Sequence, residues 1–202
     1  MSRRGAYAKG LAKRNEILST ALDLIARNGY RRTTVRELAE AVGLSQAGLL
    51  HHFGTKEELF TEILRRRDEE QQRSFDPGTE STPDLADIYP RVVRQNAGVP
   101  GLVQLYNRFA AEAGEPSHPA HEYFRQRFET VQQQTAEAIR RLQDDGRLPA
   151  DLDAARIAVI LAALSDGLQT YWIYHPDVDM ADHIAYFWSL LDAPRDRPDG
   201  LR

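Results

Sequence analysis

The chain has no cysteine, which excludes disulfide staples and thiolate metal sites and fits a reducing compartment. No run approaches the roughly 18 apolar residues of a membrane span. The basic start, MSRRGAYAKGLAKRNE, is not followed by the roughly 7 to 15 apolar residues of a secretory signal. These absences predict a cytoplasmic protein that makes no membrane contact. Also missing are alternating strand patterns, and the catalytic signatures GxSxG, GxxxxGKS or GxxxxGKT, and HExxH. An enzyme would need a nucleophile beside a base, a phosphate loop or convergent metal ligands; none is visible, and no cofactor is expected.

What is present is charge of two signs in two places. Residues 1–67 hold 13 Lys and Arg against 7 Asp and Glu, a net of +6, whereas residues 68–202 hold 13 against 23, a net of −10. A basic head on an acidic body is the expected distribution when the head meets a polyanion. At 202 residues and 42% hydrophobic content the chain can bury a real core.

Apolar residues recur at helical spacing nearly throughout, which predicts an all-α fold of about nine helices. The first runs from about Tyr7 to Asn28, with Leu11, Leu18, Ala21, Leu22 and Ile25 on one face, and stops at Gly29. Tyr30 then folds back onto the core. Thr34 and Glu37 form a capping box opening a short helix to Val42, Gly43 breaks it, and Ser45 begins a second ending near Phe53. Thr55 and Glu58 repeat the box and start a longer helix through about Arg73, followed by a loop at FDPGTES, 75–81. Thr82 and Pro83 restart the chain, with breaks at 98–101, 114–119, 144–149 and 175–179 separating five further helices. The organisation expected is an arm and head over 1–54, a connecting helix over 55–74, a body over 82–192 and a frayed tail over 193–202.

The segment Thr33–Phe53 places Leu38, Ala39, Val42, Leu44, Leu49 and Phe53 where two crossed helices pack on the first, with Gly43 at the turn. That is the spacing of a helix-turn-helix. The second helix of such a motif lies in the major groove of duplex DNA, which makes Ser45, Gln46, Ala47, Gly48 and His51 the exposed candidates. Gln46 is the best base reader, because an amide pairs bidentately with adenine. Thr33, Thr34, Arg36, His51 and Lys56 are placed to hold phosphates, Lys56 most strongly. The arm, with Arg3, Arg4, Lys9, Lys13 and Arg14, follows the DNA backbone, reaches a minor groove, or is a solvated tail.

Taken together, Gly29-Tyr30, TTVRELAEAVGLS at 33–45 and His52-Phe53-Gly-Thr-Lys-Glu-Glu-Leu-Phe60 resemble the TetR family of transcriptional repressors, over roughly residues 8–64. The resemblance implies a homodimer on a palindromic operator, released when a small-molecule effector binds the body. Carried over by position, it places DNA contacts on Thr33, Thr34, Arg36, Ser45, Gln46, Gly48, His51 and Lys56. Leu50 stands where the family has a phosphate-binding tyrosine, so that contact is lost or passes to His51.

In the body, Leu161, Leu164 and Leu168 on one helix and Ile184, Phe187, Trp188 and Leu191 on the last form stripes suited to a four-helix interface between copies, or to the core of one copy. Tyr106, Phe109, Tyr123, Phe124, Phe128, Tyr171 and Trp172 suit an apolar effector pocket, or plain core. His118, His121 and Glu122, and His175, Asp177, Asp179 and His183, are two loose groups at helix starts where capping accounts for Ser117, Pro119 and Asp179; no metal is expected. The remaining alternative is a constitutive DNA-binding, dimerising interaction module that senses no ligand.

Overall fold

A computed structural model describes residues 3–75 and 85–192. Among these are nine α-helices: α1 (Arg3–Asn28), α2 (Val35–Ala41), α3 (Gln46–Phe53), α4 (Lys56–Phe75), α5 (Leu85–Ala97), α6 (Pro100–Glu112), α7 (His121–Asp144), α8 (Ala154–Tyr174) and α9 (Met180–Asp192), with a 3₁₀ turn at Tyr30–Arg32. The all-α expectation holds, and each break falls where the glycine and proline clusters put it. The loop after Phe75, the Thr82–Pro83 restart and the 193–202 tail lie outside the described residues.

Helix α1 begins at Arg3, about four residues earlier than its apolar pattern suggested. The arm is thus part of α1, although the side chains of Arg3 and Arg4 lie outside the described ones. Leu11, expected on the packed face, is 45% exposed; the buried stripe starts at Ile17 and runs through Leu18, Ala21, Leu22 and Ile25.

The described residues form two compact packing units. The first comprises 3–75 and 95–127. Its core gathers the α1 stripe, Leu38 and Ala39 of α2, Leu49 and Phe53 of α3, Leu59, Phe60, Ile63 and Leu64 of α4, Leu102, Leu105, Tyr106 and Phe109 of α6, and Tyr123 and Phe124 of α7. Tyr30 does fold back: it is buried, edge-on to Phe60 at 5.3 Å and to Phe109 at 6.5 Å between ring centroids. Edge-on rings place a positive rim against a negative face, which fixes their mutual orientation.

The second unit comprises 85–94 and 128–192, with Val93, Ala136, Ile139, Ile157, Ala158, Leu161, Ile184 and Trp188 inside. Asp153 caps α8 by accepting from the Ala155 and Arg156 amides, and Asp179 does the same for α9 through Ala181 and Asp182. The Tyr89 and Thr135 hydroxyls share a 2.7 Å hydrogen bond in its interior.

Helix α8 has no unbroken apolar run of membrane length, its longest covering residues 157–164. It is long and apolar enough to cross a bilayer by length and composition, with a mean hydropathy of 1.2 and only 28% of the apolar window buried.

Candidate nucleic-acid interface

Three helix starts build the site. Thr34 caps α2: its hydroxyl accepts from the Glu37 amide at 3.2 Å while its own amide donates to Glu37 Oε2 at 2.8 Å. Those bonds, backbone first and then side chain, hold the Glu37 carboxyl below its ordinary range. Ser45 caps α3 by accepting from the Gly48 amide at 3.0 Å, and Thr55 and Glu58 close a second box at the start of α4. Between α2 and α3, Gly43 has φ 69°, a left-handed conformation that a β-carbon disfavours. The uncapped amides of a helix start attract anions.

Around these starts lies an open concavity of about 820 Å³. Thr33, Thr34, Arg36, Gln46 and Lys56 line it, bringing together five of the eight residues expected to meet DNA. Ser45, Gly48 and His51 are not part of that lining; Ser45 and His51 are exposed on or beside α3. Thr33 is buried at 4% exposure and its hydroxyl donates to the Gly29 carbonyl at 2.9 Å, so that group is already committed. The Arg36 side chain is 70% exposed and stands 3.8 Å from Glu40, too far to hold it. Leu50 is half-buried.

Two lining cations escaped sequence reasoning: Arg31 and Arg108. Arg31 sits in the GYRRTT segment, where proximity to the motif was a usable signal. Arg108 comes from α6, far away in sequence. It arrives because α6 packs on the Tyr30 turn; its guanidinium lies 5.8 Å from the Tyr30 ring centroid and its Nε donates to Glu112 at 2.8 Å. No acidic side chain is among the residues lining the concavity, and four cations, Arg31, Arg36, Lys56 and Arg108, are. Such a surface suits phosphate oxygens.

Lys13 and Arg14, candidate arm residues, are used inside the unit. Lys13 Nζ donates to the Val42 carbonyl at 2.9 Å; Arg14 donates to the His52 carbonyl and to Glu62, with its guanidinium 4.5 Å from the Phe53 ring centroid.

The aromatic candidates divide. Tyr106, Phe109, Tyr123 and Phe124 are buried in the first unit, with Phe124 4.9 Å from Tyr123 and 5.4 Å from Tyr106 between ring centroids. Phe128, Tyr171 and Trp172 belong to the second unit, where Tyr171 stacks on His175 at 4.4 Å and Trp172 donates to the Pro176 carbonyl. Of the candidate interface residues, Leu161, Ile184, Trp188 and Leu191 are buried within one copy, and Leu164, Leu168 and Phe187 are half-buried. Among the described residues no group of three or more His, Asp or Glu could hold a metal ion. His121 Nδ1 is bonded to the Ala113 carbonyl and His118 Nδ1 accepts from the Ala120 amide.

A helical protein whose capped helix-turn-helix opens onto a cationic concavity falls in the class of helix-turn-helix transcription regulators. Residues 17–63 match the model of bacterial regulatory proteins of the tetR family, and residues 100–188 match that of the BetI-type transcriptional repressor C-terminal domain. This chain belongs to the TetR family of transcriptional regulators.

It is 26% identical to the transcriptional regulator TtgR of Pseudomonas putida over 183 residues, 81% of each chain. It is 47% identical to the transcriptional repressor KstR2 of Rhodococcus jostii over 53 residues, a match that spans only 26% of that relative's length. Among solved structures, a Saccharomonospora viridis regulator in complex with choline is 26% identical with TM-score 0.67, covering 87% of this chain and 93% of the other. A TetR-family protein from Rhodococcus sp., 22% identical with TM-score 0.69 over 90% and 98% of the two chains, shares the fold.

Proposed function

We propose that this chain is a ligand-responsive repressor that binds a palindromic operator as a homodimer and leaves it when a small molecule binds the body. The observation that carries the reading is the concavity where the α2, α3 and α4 starts meet four cations, with Gln46 exposed at the first turn of α3. Residues 1–54 serve as the head, 55–74 as the connecting helix and 82–192 as the body. Gln46 reads a base edge in the major groove. Thr34, Arg36, Ser45, Gly48, His51 and Lys56 hold the flanking backbone, and Thr33 stiffens the approach to α2 through its bond to Gly29.

Dimerisation draws support from α8 and α9. Ile160, Ala163, Gly167, Tyr171 and Tyr174 follow one another at three-to-four spacing and are all exposed; Tyr186 and Leu190 add an exposed pair on α9. A contiguous apolar face of this kind is covered by a partner or by lipid. A second copy covers it here, because the same chain needs two heads for a palindrome. The apolar length of α8 is then an interface property and not a membrane span.

Ligand sensing is supported by the likeness to the choline-bound regulator and to the BetI-type C-terminal model. Coupling between sites is reciprocal: an effector that weakens operator binding must itself bind less tightly to the operator complex. The test is selection of sites from random duplex DNA by the purified protein at near-physiological salt. The expected result is an enriched palindrome with half-sites roughly 34–36 Å apart, one helical turn. Salt-sensitive background binding with no enrichment overturns the reading and leaves a constitutive interaction module.

A further inference from the structure

Inside the first unit, where α4, the end of α5, α6 and the start of α7 meet, a buried guanidinium is left with idle donors. Asp68 of α4 accepts from Arg67 Nη2 at 2.9 Å on Oδ1, and from Tyr123 at 2.6 Å and Arg127 Nε at 2.9 Å on Oδ2. One carboxylate therefore serves two guanidiniums. Arg67 is only 9% exposed, and its Nε and Nη1 are buried with no hydrogen-bond partner. A buried cation with idle donors is costly, and proteins retain such an arrangement where a ligand completes it.

The neighbours are those of a ligand site. Arg67 and Arg127 lie 5.0 and 5.1 Å from the centroid of the Tyr106 ring. Tyr106 and Phe124 supply apolar surface, their ring centroids 5.4 Å apart.

We propose that this interior binds a small organic acid, with Arg67 receiving its carboxylate. This names the chemical class of the effector and rests on the ligand-sensing reading above. The carboxylate accepts from the idle Arg67 donors and leaves the organic part against Tyr106 and Phe124. A quaternary ammonium such as choline is disfavoured. It would enter beside two guanidiniums, and the Tyr106 ring that could cradle it already faces both. Arg67 also lies on α4, the unbroken helix whose first residue, Lys56, lines the DNA-side concavity, so occupancy at one end bears on the position of the other.

The experiment is thermal unfolding and operator release of the full chain with octanoate, benzoate, octanamide, benzamide and choline chloride at matched ionic strength. Variants are Arg67→Gln, Arg67→Lys, and the exposed control Arg73→Gln. Octanoate or benzoate should raise the unfolding midpoint and release operator at least roughly tenfold more effectively than its amide, the worth of one charge-assisted hydrogen bond. R67Q should lose that preference, R67K should keep part of it, and R73Q should match the native chain. Without ligand, R67Q should stay folded, because Asp68 keeps its bonds from Tyr123 and Arg127. Equal response to amides, choline and carboxylates, or a carboxylate preference retained in R67Q, overturns the anion site while ligand sensing stands. No response to any compound in either assay overturns both.

Discussion

Arg14 of α1 donates to the His52 carbonyl at 2.6 Å, closing the C-terminal end of the recognition helix α3 with a side chain from the first helix. The same guanidinium holds Glu62 of α4 at 2.8 Å and stacks on Phe53. One residue thereby fixes α3 relative to α1 and α4. Arg14→Met keeps the apolar stem and removes these bonds. It should cost about 1.5–3 kcal/mol, the worth of hydrogen bonds to a charged group, read from urea unfolding. Operator affinity should fall equally on all sequences with an unchanged salt slope; a shallower slope would show instead that Arg14 touches phosphate.

Gly101 at the start of α6 sits where a β-carbon would strike the Ile25 carbonyl oxygen, 2.8 Å from the Gly29 Cα and 3.1 Å from the Tyr30 amide nitrogen. All of these neighbours are backbone, so no rotamer change relieves the clash. Gly101→Ala should destabilise the chain by about 1–3 kcal/mol, as overpacking does, in the same unfolding assay. An unaltered midpoint would mean that α6 can move away from α1 without loss.

The helices and the motif were legible in the sequence because local chemistry decided them. Thr34, Ser45 and Thr55 cap where their side chains dictate, and Gly43 turns where only glycine is at ease. What stayed hidden depends on distant packing. Arg108 joins the concavity only because α6 lies on the Tyr30 turn, and periodicity carries no such information. Lys13 and Arg14 look like arm cations in sequence, yet their partners, Val42 and His52, are some thirty to forty residues on. On α8 the stripe Leu161, Leu164, Leu168 and its neighbour Ile160, Tyr171, Tyr174 are equally apolar. Only the packing of α9 decides which turns inward.

Lys56, at a helix start, and Arg108, from α6, both line the cationic concavity. Lys56→Ala and Arg108→Gln should each weaken operator binding on every sequence and make the log affinity versus log salt plot shallower by about one unit. Gln46→Ala should leave the slope alone and relax preference at a single base pair. Equal losses on every operator variant for all three substitutions would dissolve this division of roles. A slope unchanged in R108Q would confine the phosphate surface to the helix-turn-helix.

Burial acts to raise the Asp68 carboxyl, but the Arg67 and Arg127 charges and the Tyr123 hydrogen bond outweigh it and hold the group below its ordinary value. The Tyr123 hydroxyl, pushed well above its usual value by burial and then by Asp68, remains the donor. A carboxyl depressed in the folded state stabilises above its unfolded value of about 3.9 and loses that contribution as pH falls through the folded value. Stability of the native chain should therefore fall on acidification below about pH 4. Asp68→Asn should be less stable at neutral pH and flatter over that acid limb. Parallel acid limbs in the two proteins would assign acid unfolding to other carboxylates.

Ile160 on α8 and Leu190 on α9 are 49% and 52% exposed, while Leu161, next to Ile160, is fully buried. The two classes of position make opposite predictions. If a second copy covers the α8–α9 face, Ile160→Glu with Leu190→Glu puts two carboxylates from each copy into an apolar contact, where desolvated like charges are strongly unfavourable. The doubly substituted chain should sediment as a monomer, keep its helical circular dichroism, and lose most of its affinity for a palindrome while retaining weak, salt-sensitive binding to a half-site. Leu161→Glu should instead unfold the second unit at any concentration, because it buries a charge inside one copy. A native chain that is monomeric at micromolar concentration, or a double variant that still dimerises, would remove α8 and α9 from the interface and reopen the question of what covers their apolar face.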